Sequence, residues 1–310
     1  MNAAVKSIGI DIGGTKMLVA AVDRNGDIRQ RLILAMEAER GFLHAVDRLI
    51  QAIEGLLAQV QWSRQELAGI GIGCAGPVDP LRGLINNPHT LVGWNRCDIV
   101  TPLARHFGVR VHLENDADAA VLGECWKGAG RGFSPVVMLT FGTGVGGGAL
   151  IDGRILRGAN GEHPEMGHLP VAGGGRRCYC GASGCLESLA SGTAIGEAGA
   201  AAGLGDAAQV FVRAARGEAD AGSIVARALD AAATAAWILS HTLLPQRLIL
   251  GGGLMDKHYA LFASAVNQRM ASATQFSFAA CSVTPAALGN SAGVVGAASL
   301  CFQPSPATRD

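Results

Sequence analysis

Residues 7–28 read SIGIDIGGTKMLVAAVDRNGDI. The run Ser7-Ile8-Gly9-Ile10-Asp11 predicts a strand that meets the glycine turn Gly13-Gly14-Thr15. Residues 17–22 predict a second strand, Arg24-Asn25-Gly26-Asp27 a hairpin turn, and residues 28–34 a third strand. The same order returns about 130 residues later in residues 136–153, VVMLTFGTGVGGGALIDG. There a strand over 136–140 runs into a glycine-rich turn over 142–148, a strand over 149–151 and a polar turn at Asp152-Gly153. Strand, glycine turn, strand and polar turn thus occur twice. This predicts a duplicated α/β architecture with two facing phosphate loops; the alternative is two ordinary hairpins in one sheet.

Between and after these stretches helices dominate. Phe42, Leu43, Val46, Leu49, Ile50, Ile53, Leu56, Leu57 and Val60 recur at helical spacing. Residues 70–73 predict a short buried strand ending at Gly76-Pro77, and residues 119–126 a helix. Ala-rich helices are expected over 193–202, 207–216 and 221–244, then a buried strand over 248–250 that stops at Gly251-Gly252-Gly253. A last helix is expected over 291–302, and the tail 303–310 is expected to be disordered.

Hydrophobic residues make up 49% of the chain and charged residues 16%, enough apolar material for a packed core. The formal net charge of +0 offers no electrostatic footprint for nucleic acid or an anionic membrane. The first residues hold no apolar stretch with a cleavage site, and the apolar segment 243–254 is interrupted by Pro245, Gln246 and Arg247. A cytoplasmic protein is expected. The 8 cysteines, without a secretory signal, point to metal ligation where they cluster, rather than to disulfides.

They cluster once, in residues 162–187, EHPEMGHLPVAGGGRRCYCGASGCLE. His168, Cys178, Cys180 and Cys185 form a His-Cys₃ set suited to tetrahedral Zn²⁺, and four protein ligands leave no open position for chemistry. Glu165 and Glu187 flank the set and are expected to face a ligand, while His163 is a metal ligand, a ligand contact or neither. Cys74, Cys97, Cys125, Cys281 and Cys301 are isolated and read as core fillers.

Asp11-Ile12-Gly13-Gly14-Thr15-Lys16 places a carboxylate at a strand end beside amides that glycine leaves exposed, a pattern that cradles phosphate. It is not a P-loop, because Thr15-Lys16 has the reverse order and leads into a strand. Gly142-Thr143-Gly144-Val145-Gly146-Gly147-Gly148 implies close backbone approach to a ligand. Gly144, Gly146 and Ala149 fit a dinucleotide fingerprint, but a strand follows where that unit requires a helix. In Glu114-Asn115-Asp116-Ala117-Asp118, Asn115 and Asp116 are either plain N-caps or, for Asp116, a base placed at a helix N-terminus.

Taken in order, these motifs resemble the ROK family of sugar kinases, within the actin and hexokinase superfamily. The resemblance runs from Ile8 to about Ala298 and includes Gly76-Pro77-Val78-Asp79, Glu165-Met166-Gly167-His168, Cys178-Tyr179-Cys180-Gly181 and Gly184-Cys185-Leu186-Glu187. It implies an actin-like (ribonuclease H-like) duplicated α/β fold, two domains with an interdomain cleft. The domains implied are 1–117 plus about 298–310, and 118–297 with the zinc loop 162–187. It also implies ATP-dependent phosphorylation of a hexose, with Asp116 as catalytic base. Gly76, Asn115, Asp116, Glu165, His168 and Glu187 would contact the sugar, and His168 would also ligate Zn²⁺ through its other ring nitrogen. Asp11 would help to position Mg²⁺. Gly13, Gly14, Thr15, Lys16, Thr143 and Gly144 would hold the triphosphate, and Gly251 and Gly252 would lie against the adenosine. A homodimer is expected.

Departures from the commonest family pattern are Ala75 before Gly76-Pro77, Asp118 in place of asparagine, and Pro164 before Glu165. Asn87-Pro88-His89-Thr90-Leu91 resembles N-acetylmannosamine kinases in its first half, while the Gly93-Trp94 that follows resembles glucokinases. Glucose is the expected acceptor, with N-acetylmannosamine, N-acetylglucosamine and fructose as alternatives. A sugar-responsive repressor is disfavoured, because about seven residues before the first strand leave no room for a helix-turn-helix.

Overall fold

The computed structural model describes residues 6–88, 90–274 and 280–302; the expectation for 303–310 lies outside the described residues. Contacts divide the chain into two compact units. The first holds the described residues up to Arg131, the segment 155–163 and those from Ser291 onward; the second holds Gly132–Arg154 and Pro164–Asn290.

In the first unit, β1 (Lys6–Ile12), β2 (Lys16–Asp23) and β3 (Ile28–Ala35) form an antiparallel meander. Next come α1 (Phe42–Gln59) and β4 (Leu67–Cys74). A three-stranded sheet of β5 (Val78–Asp79), β6 (Leu84–Ile85) and β7 (Cys97–Asp98) precedes α2 (Val100–Phe107), β8 (Val111–Asn115) and α3 (Asp116–Lys127). The main sheet runs β3-β2-β1-β4-β8, with β4 parallel to β1 and to β8. Helix α1 turns Leu49, Ile53, Leu56 and Leu57 into the core formed with Ile8, Ile10, Ile70 and Ile72. Each such side chain contributes roughly 1.5–3 kcal/mol by burial.

The second unit repeats the plan. Strands β9 (Val136–Phe141), β10 (Val145–Ile151) and β11 (Arg154–Ile155) lead to the short helix α4 (Leu186–Ala190), then α5 (Gly192–Ala201), α6 (Ala207–Ala215) and α7 (Ala219–Leu243). They are followed by β12 (Arg247–Gly251), α8 (Met255–Ala271) and β13 (Ser282–Pro285). The sheet order β11-β10-β9-β12-β13 matches that of the first unit, an antiparallel hairpin followed by parallel strands. The duplication expected from the two glycine turns is present. The second turn is shorter than expected, however: Gly146, Gly147 and Gly148 lie inside β10, so only residues 142–144 turn. Gly147 is there for packing, since a Cβ on it would lie 2.9 Å from Met166. Helix α7 is long and apolar enough by composition to cross a membrane, but half of its most apolar stretch is buried within the protein, where α7 packs on α4, α6 and α8.

The last helix, α9 (Ala292–Ser299), is shorter than the 291–302 expected and is flanked by 3₁₀ turns. It lies directly on the first unit's sheet, because a Cβ on Gly9 or Gly71 would strike the backbone of Val294 or Ala297. It meets α3 as closely, backbone to backbone, through Gly123 and Gly296. That packing corrects the expected division. All of α3 belongs with the first unit, whose boundary falls after Arg131 rather than at 117, and its C-terminal part begins at Ser291 rather than near 298. Residues 155–163 also return to it.

Candidate active site

In the first unit, Asp11 stands at the end of β1 and the turn after it closes with Gly13 N–H donating to Lys16 C=O at 3.0 Å. Asp11 lies against the start of α9: a Cβ on Gly293 would sit 2.8 Å from its Oδ2. Asn115 caps α3, its Oδ1 accepting from Ala117 N–H at 2.8 Å and from Asp118 N–H at 3.2 Å. Asp116 is thereby the first residue of α3, and its Oδ1 also accepts from Ala117 N–H at 2.9 Å. Gly76 packs on Asn115, where a Cβ would come within 2.6 Å of Nδ2. The structure therefore brings Gly76, Asn115 and Asp116 together and sets Asp11 within electrostatic reach of Asp116. Asn87, fully buried, holds the neighbouring loop: its Nδ2 donates to Ala75 C=O at 3.1 Å and its Oδ1 accepts from Thr90 N–H at 2.8 Å. A Cβ on Gly14 would meet the Thr90 methyl at 2.7 Å, so this loop also covers the Gly13–Thr15 turn.

Burial, then the negative charge of Asp116, pushes the Asp11 carboxyl up to about 7, with Lys16 pulling the other way. Two carboxylates in such an environment suit a hard divalent cation, so the donors fit Mg²⁺. The sign of the linked stability follows. Between its ordinary value of 3.8 and about 7, folded Asp11 keeps a proton that the unfolded chain has lost. Stability of the metal-free protein should fall through that window as pH rises, by on the order of a few kcal/mol. Asp11→Asn is expected to shrink the difference in Tm between pH 5 and pH 8; an unchanged difference would contradict the shift.

In the second unit, Thr143 and Gly144 sit in a turn closed by Gly142 N–H donating to Gly144 C=O at 2.9 Å. The Glu187 carboxylate backs this turn: its Oε2 accepts from Val145 N–H at 2.9 Å and would lie 2.5 Å from a Cβ on Gly144. Glu165 and His168 begin and end a 3₁₀ turn seated on β10, where a Cβ on Gly167 would strike the Val145 carbonyl. His168 Nδ1 lies 3.4 Å from Cys178 Sγ, and Cys180 and Cys185 Sγ lie 3.5 Å apart. All four ligand atoms fall within 4.8 Å of one another. With Zn–S bonds of about 2.3 Å, tetrahedral ligands lie nearly 4 Å apart, so the set fits Zn²⁺.

Tyr179 is the group that motif reading missed. Its hydroxyl lies 2.9 Å from His168 Nε2, the nitrogen expected to face the sugar, and it also bonds to Glu187. Burial, followed by the charges of Glu187 and Glu165, raises the phenol. Two expected sugar-contacting side chains, His168 and Glu187, thus meet at one hydroxyl, within reach of the Glu165 charge. His163 lies outside the set of His168, Cys178, Cys180 and Cys185; its Nδ1 lies 2.9 Å from Asp118 Oδ2 in the first unit.

A cavity of ≈ 810 Å³ opens in the second unit beside Gly142 and Thr143, lined further by Gly192, Gly196, Gly253 and Leu254. Its size falls within the ~300–1,000 Å³ of small-molecule sites. Gly251 and Gly252 are not in its lining but aim it: Gly251 ends β12, and Gly252 turns at φ 88°, where a side chain would strike Phe141. The sequence signal for this wall is the recurrence of Gly192, Gly196 and Ala200 every fourth residue on α5.

The ROK family model matches residues 7–303. A glucokinase of Thermotoga maritima is 33% identical, over 96% of this chain and 97% of its own. An N-acetylmannosamine kinase of Citrobacter koseri is also 33% identical, over 83% of this chain and 87% of its own. The structure is similar to that of a ROK family glucokinase from Streptomyces griseus in complex with glucose and AMPPNP. The TM-score is 0.78 and the identity 29%, over 96% of this chain and 100% of that one.

Proposed function

We propose, from the premise that the chain belongs to the ROK family and is a sugar kinase, that it transfers the γ-phosphoryl group of ATP to glucose, giving glucose 6-phosphate. The observation that carries the chemistry is Asp116, held by the Asn115 cap at the start of α3 beside Asp11 and the Gly13–Thr15 turn. The 6-hydroxyl oxygen bonds to the γ-phosphorus while the bond from phosphorus to the β–γ bridging oxygen breaks. ADP leaves with that oxygen, and the hydroxyl proton passes to Asp116. Such transfer depends on positioning and charge more than on strong base catalysis, which suits an aspartate.

Backbone amides of the Gly13–Thr15 and Thr143–Gly144 turns bind phosphate oxygens, and Lys16 adds positive charge. Adenosine takes the cavity beside Thr143, Gly192 and Gly253. Glu165, His168, Glu187 and Asn115 hold sugar hydroxyls, for which the Tyr179 hydroxyl is a stand-in. Mg²⁺, which Asp11 would help to hold, supplies charge against the phosphates when bound. Zn²⁺, which His168, Cys178, Cys180 and Cys185 would hold, shapes the loop only.

Glucose is supported by the glucokinases among the relatives, N-acetylmannosamine by the Citrobacter enzyme at equal identity. Comparing kcat/KM for glucose, mannose, fructose, N-acetylglucosamine and N-acetylmannosamine decides between them. Glucose should rank first, and a tenfold preference for N-acetylmannosamine would replace it.

A further inference from the structure

Glu114, Asp116 and Asp118 place three carboxylates within five residues at the junction of β8 and α3. Glu114 is 6% exposed and Asp118 is 0% exposed. Buried carboxylates at that spacing require compensating charge. It comes from the nine-residue segment 155–163, by which the chain returns to the first unit. The Arg157 guanidinium pairs with both carboxylates, Nη1 with Asp118 Oδ2 and Nη2 with Glu114 Oε2. His163 Nδ1, from the same segment, lies 2.9 Å from Asp118 Oδ2. Burial raises the Glu114 carboxyl and Arg157 pulls it back down.

These contacts lead to the base. Glu114 offers Oε2 to Arg157 and Oε1 to the Asn115 backbone N–H, at 2.8 Å. Asn115 in turn caps α3 through the N–H groups of Ala117 and Asp118. The residue two before Asp116 and the residue two after it are therefore clamped by one guanidinium, and the cap between them is fixed by the first of those carboxylates. A cation serving only to neutralise buried charge would not need to bridge both sides of the base.

We propose that Arg157 is a positioning residue for Asp116, acting through Glu114 and Asp118; this rests on the kinase reading above. Arg157→Gln leaves two buried carboxylates facing each other and frees the start of α3. A merely structural role would lower Tm and leave turnover per folded molecule unchanged. A positioning role lowers kcat while the sugar still binds.

The test compares wild type, Arg157→Gln, Arg157→Lys and the double variant Arg157→Gln/Asp118→Asn, each below its own Tm. Glucose affinity is read by calorimetry and turnover by ADP release. For Arg157→Gln, kcat should fall about tenfold or more, as small misplacements of a reacting group do, with glucose Kd within about twofold. Arg157→Lys should retain an intermediate kcat, and the double variant should recover part of the loss because one uncompensated carboxylate is gone. A folded Arg157→Gln with kcat within about twofold of wild type overturns the proposal whatever its Tm. If that variant does not fold, an unreduced kcat in Arg157→Lys overturns it instead. Absence of sugar-dependent ADP release from wild type removes the kinase reading and the proposal with it, and is seen before any variant is compared.

Discussion

Asp116→Asn is expected to reduce kcat by about 10³-fold, within the range that loss of a general base commands. Glucose affinity should stay within a few-fold of wild type. The substitution is nearly isosteric, and an asparagine Oδ1 can still accept the Ala117 N–H that Asp116 accepts at 2.9 Å. The helix start therefore survives, and the lost function is the place for the hydroxyl proton. Replacing the carboxylate also removes the charge that, after burial, raises Asp11. Stability of the metal-free variant should accordingly depend less on pH between 5 and 8 than that of wild type. Near-normal turnover in the folded variant would take Asp116 out of the role of base.

The second large effect is expected at the proposed zinc loop, residues 162–187. Cys180 is the exposed member of the four donors, so Cys180→Ser disturbs the core least while removing one ligand. With three protein ligands, zinc affinity should fall by about 10–100-fold or more, and the metal should be lost on dialysis. Around the donors the loop turns through Cys178 N–H to Ala182 C=O at 2.7 Å and Gly181 N–H to Cys178 C=O at 3.0 Å. His168, freed from the metal, should lose its orientation, and glucose KM should rise about tenfold or more with Tm lowered by several degrees. Metal analysis and steady-state kinetics check this together. A variant free of metal and fully active would show that zinc has no part in holding the loop.

Much of the architecture was legible because its signals are local. Apolar runs broken by Gly13-Gly14 and by Gly142–Gly144 mark two equivalent hairpins, and the structure brings His168 and the three nearby cysteines into one cluster, as their closeness in sequence suggests. What was not legible depends on contacts distant in sequence. Backbone contact of α9 with β1, β4 and α3 places all of α3 in the first unit, yet Gly9, Gly71 and Gly296 look no different from other glycines in the sequence. The cavity wall joins Gly142, Gly192 and Gly253, and only the four-residue recurrence along α5 hints at it. Tyr179 stands between two cysteines of a motif that gives it no role of its own, and its hydroxyl lies on His168 and Glu187. Arg157 reaches carboxylates 43 and 39 positions earlier, a pairing that no local pattern encodes.

The central claim is that this fold moves a phosphoryl group from ATP to a sugar hydroxyl. It is tested most directly by ADP release from the folded, zinc-replete protein with Mg²⁺ and ATP, with and without glucose. Release should be slow without sugar, and with glucose should rise by at least about a hundredfold and yield stoichiometric glucose 6-phosphate. A rate that none of glucose, mannose, fructose, N-acetylglucosamine or N-acetylmannosamine increases would contradict the account.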